Sequence, residues 1–182
     1  MQTSKKWIYK YRYLQIELEE TKSLQEGYTE IFMRDFKDVL MNEENHSGLD
    51  MAAKEGKELI DEIKDEVKPK NNSKLAKELY RNISRKTHPD KIQDEKLNNI
   101  FKEAADAYDN HNLMELIMLS DKIGIDISSD LDETDLLMIE SNCNQVQLEI
   151  DTIKSTITWQ WCTYPDDDKE ELKNHFIGLL TR

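Results

Sequence analysis

Apolar and aromatic side chains recur through the first forty residues at Trp7, Tyr11, Leu14, Leu18, Tyr28, Phe32 and Val39, with Thr21, Gln25 and Asp35 as polar interruptions of the same stripe. That spacing predicts one long helix over 5–40 that needs a partner along one side. The pattern lapses around residues 41–48, where Ser47-Gly48 marks a break. A shorter helix is expected from Asp50 to Val67, closed by Pro69, and Ser73 is placed to cap the helix that follows over 74–87. That helix must stop before Pro89, because the residue preceding a proline is pushed out of helical geometry. Leu97, Ile100, Phe101, Ala104 and Tyr108 then repeat at helical spacing. Asn110-His111-Asn112 interrupts them, and a short helix from Leu113 to Ile123 is capped by Gly124. From Leu136 the spacing becomes a strict 3,4 alternation through Ile139, Cys143, Val146, Ile150, Ile153 and Ile157, which is the pattern of a coiled-coil seam. Tyr164-Pro165 breaks the chain, and Asp166-Asp167-Asp168 suits the positive end of a last helix carrying Leu172, Phe176 and Leu179.

The predicted class is all-α: a helical hairpin flanked by long N- and C-terminal helices that pair as an antiparallel coiled coil. The expected organisation is a long helix over 1–42, a linker with a short helix over 43–72, the hairpin region over 73–126, and a C-terminal seam helix with a short terminal helix over 130–182. Composition agrees. Five glycines and three prolines in 182 residues are too few for the turns of a sheet-rich fold. Because hydrophobic residues make up only 37%, extended helices packed along seams fit better than one large core.

The formal net charge of −13 argues against general nucleic-acid binding, since an acidic chain is repelled by phosphate. Cys143 and Cys162 are too few for a disulfide framework, and with His175 they have no compact metal-ligand spacing, so neither metal nor cofactor is expected. No apolar run has the length of a signal peptide or membrane span, so the chain is expected to be soluble and cytoplasmic, without membrane contact.

The charge is uneven. From Lys68 to Lys91 there are eight basic residues against two acidic ones, a net of +6 that leaves −19 for the remainder. Lys74, Lys77, Arg81 and Arg85 share one face of the 74–87 helix, while Leu75, Ala76, Leu79, Tyr80 and Ile83 occupy the other. A row of cations on a helix is usually a solvated face. Here the helix ends in His88-Pro89-Asp90-Lys91 and is followed by a second amphipathic helix.

KELYRNISRKTHPDK and IFKEAADAY resemble the second helix, signature loop and third helix of the J-domain of DnaJ-family co-chaperones. The resemblance covers Ser73 to Gly124, with Leu79, Tyr80, Ile83, Phe101, Ala104 and Tyr108 as the hairpin core. It implies that His88, Pro89 and Asp90, with Lys77, Arg81, Arg85, Lys86 and Lys91, dock on the ATPase domain of a DnaK-type chaperone and promote ATP hydrolysis and capture of a client protein. The hydrolysis would be the partner's chemistry, so no catalytic residue is assigned and the chain is not expected to be an enzyme. The sequence departs from the family at its first helix, at Thr87 and Arg85, and beyond Tyr108, and it has no glycine/phenylalanine-rich or cysteine-rich segment. It is similar to small bacterial and viral variants.

A rival reading makes the hairpin a relic and the protein a coiled-coil scaffold, and homodimerisation through 136–157 is a further possibility. Trp159 and Trp161 are expected to pack against the N-terminal helix.

Overall fold

The computed structural model describes residues 2–41, 71–90, 94–127 and 131–180. The expected helix at 50–67 and Lys91 lie outside the described residues, as does the side chain of Leu179. Every described element is helical: α1 Gln2–Asp35, α2 Lys37–Leu40, α3 Lys74–Thr87, α4 Glu95–Asp109, α5 Leu113–Lys122, α6 Glu133–Lys154, α7 Ile157–Thr163 and α8 Asp166–Leu180. None of them is long and apolar enough to cross a membrane. The chain divides into two compact units, Met1–Gln15 with Val67–Val146, and Ile16–Glu66 with Gln147–Arg182. The first fifteen residues, the start of the continuous helix α1, group with Val67–Val146.

In the first unit, α3, α4 and α5 pack against one another. Ser73 caps α3 by accepting from the Ala76 N–H at 3.1 Å. The apolar face of α3 is buried at Leu75, Ala76, Leu79 and Ile83, and α4, which packs against it, buries Ile100, Ala104 and Ala107. Each buried Leu or Ile contributes roughly 1.5–3 kcal/mol. α5 is apolar on most of its circumference, and Leu113, Met114, Leu116, Ile117 and Leu119 are all buried. The N-terminal turns of α1 lie along α5. Asn112 Nδ2 donates to the Tyr11 hydroxyl at 3.0 Å, Gln15 Nε2 donates to Glu115 at 3.2 Å, and Arg12 pairs with Asp121 at 2.9 Å.

In the second unit, Glu17 pairs with Lys154 at 2.7 Å and Lys22 with Glu149 at 2.8 Å, so α1 and the end of α6 run in opposite directions. Further along, Phe32, Phe36, Leu40 and Phe176 form a buried cluster, with Trp161 against it. Tyr28 meets Trp159 edge to face at 5.1 Å, and Phe36 meets Trp161 at 4.7 Å, so both tryptophans pack on α1 and on the turn that ends it.

Two expected boundaries move. The long helix ends at Asp35, and a turn at Phe36 resets the register, so that Phe32, Phe36 and Leu40 are buried at steps of four. The 3,4 spacing would have carried the stripe through Asp35, a carboxylate expensive to bury. Asp35 instead stays at the surface and accepts from the Trp161 indole N–H at 3.0 Å, while Phe32 and Phe36 stack at 4.4 Å. The 136–157 seam also does not continue as one helix. Its residues Ile139, Cys143 and Ile150 are fully buried, but α6 ends at Lys154, and Thr156 starts α7 by capping Trp159.

Candidate functional site

α3 and α4 form an antiparallel hairpin. Asn72 donates to the Tyr108 carbonyl at 2.9 Å and the Tyr80 and Tyr108 rings stack at 4.6 Å, whereas at the other end His88 meets Phe101 edge to face at 5.2 Å. Pairing of 72 and 80 with 108, and of 88 with 101, places the 88–90 loop at the tip. Of the expected hairpin core, Leu79, Ile83 and Ala104 are buried, and Tyr80, Phe101 and Tyr108 are half-buried.

Local chemistry builds the tip from both sides. Thr87 is fully buried, and its hydroxyl donates back to the Ile83 carbonyl at 2.9 Å, which closes the last turn of α3. His88 then leaves the helix with φ −60° and ψ 126°, as Pro89 requires. Asp94 restarts the chain by accepting from the Lys96 and Leu97 N–H groups at 2.8 and 3.2 Å. An acidic residue ahead of Glu95 and an apolar repeat is the sequence signal of such an N-cap.

At the tip, the Asp90 N–H donates to His88 Nδ1 at 3.2 Å. An imidazole that accepts at Nδ1 carries its proton on Nε2, where the N–H is a donor. The Asp90 carboxylate, 3.8 Å from Nδ1, is 86% exposed, and the His88 side chain 41%. Pro89 is exposed as well. A donor and an acceptor therefore stand two residues apart on a loop stiffened by proline.

Lys74, Lys77, Arg81 and Arg85 are exposed along α3 and border a shallow, open depression with Glu78 and Asn82. Among the described residues none of these four cations forms an ion pair. Lys86, grouped with them in the sequence, is occupied elsewhere: its ammonium donates to the carbonyls of Ile123 and Gly124 at 3.2 and 3.1 Å, at the end of α5. Among the described residues no group of three or more His, Cys, Asp or Glu side chains is arranged to hold a metal.

No family model, curated protein or solved structure matches this chain.

Proposed function

We propose that the protein is a J-domain co-chaperone that docks its hairpin tip on a DnaK-type chaperone and stimulates that partner's ATP hydrolysis. The observation that carries this reading is the exposure of His88, Pro89 and Asp90 at the end of an antiparallel hairpin whose outer helix face is a row of exposed cations. Lys77, Arg81 and Arg85 steer the tip towards an acidic surface and fix its orientation. Pro89 lowers the conformational entropy lost on docking. The imidazole N–H and the Asp90 carboxylate then make directional contacts. Lys86, exposed beside the other cations, also ties α3 to α5 through the Ile123 and Gly124 carbonyls. Such a role places the protein in the cytoplasm with its chaperone, and the client is a protein that this partner captures.

The test is a single-turnover ATPase assay with a DnaK-type chaperone. Wild type is expected to accelerate hydrolysis and His88→Gln to abolish the acceleration with an unchanged circular dichroism spectrum. Arg81→Glu with Arg85→Glu should weaken binding and flatten its salt dependence. Equal stimulation by wild type and His88→Gln would remove the proposal, and no stimulation by either would leave the scaffold reading.

A further inference from the structure

The side of α1 turned away from the buried stripe is not a polar solvent face. Tyr9, Tyr13, Ile16, Leu24 and Ile31 are between 37% and 67% exposed. At 100° per residue they fall on one narrow line, together with Glu20 and Gly27, which are also exposed. Such a stripe over six turns is uncommon on a helix that needs only one partner.

Its order identifies the partner. The positions 9, 13, 16, 20, 24, 27 and 31 are separated by 4, 3, 4, 4, 3 and 4 residues, a spacing that reads the same from either end and is centred on Glu20. An antiparallel second copy with its two-fold axis at Glu20 therefore sets Tyr9 against Ile31, Tyr13 against Gly27 and Ile16 against Leu24. The Tyr13–Gly27 match is steric: a Cβ built on Gly27 meets nothing within 4 Å, so the largest side chain near the centre faces an open gap. Charge selects the same direction. Residues 1–16 carry four basic and no acidic side chains, and residues 17–35 carry six acidic and two basic ones. With Arg12, Glu17, Lys22, Arg34 and Asp35 already paired within the chain, Lys6 and Lys10 are left at one end and Glu19, Glu20, Glu26 and Glu30 at the other. A parallel pair would oppose like charges along its whole length, whereas an antiparallel pair brings the basic end of one helix to the acidic end of the other.

We infer that the outward face of α1 is a self-association surface, and that two copies of this chain pair antiparallel along Tyr9–Ile31 with Glu20 meeting Glu20 at the axis. It is a different face from the 136–157 seam and does not depend on the chaperone reading. Two carboxylates at the centre oppose the pairing, as a polar residue in an apolar seam does, which fixes the register and keeps the dimer weak.

Sedimentation velocity across a dilution series tests this, alongside two variants that act in opposite directions. Wild type should move from monomer towards dimer as concentration rises. Glu20→Leu should lower the dissociation constant by at least about tenfold by replacing the repelling pair with apolar contact. Gly27→Leu fills the gap that receives Tyr13 and should raise the constant by at least about tenfold. In the monomer the new side chain is unobstructed and helix propensity improves, so circular dichroism should show an intact helix. Ile16→Cys mixed with Leu24→Cys should oxidise to a cross-linked dimer, with neither variant doing so alone. The inference is overturned if Glu20→Leu remains monomeric at every concentration, if Gly27→Leu associates like wild type, or if Ile16→Cys cross-links to itself.

Discussion

A buried amide has donors and acceptors to satisfy, and Asn142 of α6 meets that demand at the turn joining α4 to α5. Its Oδ1 accepts from the Met114 N–H at 3.4 Å and its Nδ2 donates to the His111 carbonyl at 3.2 Å, with the residue 1% exposed. The turn is an unusual one, since His111 has φ 55°, a left-handed conformation that residues other than glycine adopt at a cost. Removing the amide strands a backbone donor and an acceptor in an apolar site. Asn142→Ala is therefore expected to destabilise the protein by about 1–3 kcal/mol, read as a lower urea midpoint at unchanged slope. Tyr11 contributes to stability on the alkaline side. Burial pushes its hydroxyl from 10.0 up to about 12, against the hydrogen bond from Asn112, which acts to lower it. The folded state holds this proton more tightly than the unfolded chain does. Its contribution is thus complete below pH 10.0 and is lost as the pH climbs towards 12. Melting temperatures measured over that range should fall for wild type and fall less steeply for Tyr11→Phe.

Among the elements, α5 depends on how it ends. Gly124 follows its last turn at φ +66°, and Lys86 donates to the carbonyls left free there. An ammonium at a helix C-terminus also complements the partial negative charge of that end. Gly124→Ala is expected to cost about 1 kcal/mol, because a Cβ is disfavoured at that backbone angle, although space around it is open. Lys86→Met should cost no more than about 1 kcal/mol, since the freed carbonyls are accessible to water. Both changes are measurable by thermal melting. The helices themselves were legible in the sequence: the proline after His88, the Ser73 cap and the 3,4 repeats locate α3 to α6 to within a few residues. The breaks at Phe36 and Ser155 were not. The first depends on an aromatic cluster completed by Trp161 and Phe176, more than a hundred residues away in sequence. The second arises where the Ser155 and Thr156 hydroxyls donate to the carbonyls of Thr152 and Ile153, competing with the backbone ladder inside an otherwise unbroken repeat.

For the molecule as a whole, the all-α class followed from the scarcity of turn residues and the helical periodicity, and the hairpin tip from three adjacent residues. What sequence could not supply was long-range pairing. The edge of Phe101 against His88, the tie from Lys86 to α5 and the grouping of residues 1–15 with 67–146 each join segments that no local pattern connects. The distribution of aromatic side chains has a practical consequence. Trp159 and Trp161 sit in the cluster with Tyr28 and Phe36, Trp7 is on the first turns of α1, and the hairpin over 73–126 contains no tryptophan. Indole emission therefore reports chiefly on the cluster around Phe36, and Trp7 is the single indole in the unit that holds the hairpin. The stacked phenols of Tyr80 and Tyr108 are the hairpin's own chromophores, and near-ultraviolet dichroism is where its movements would register.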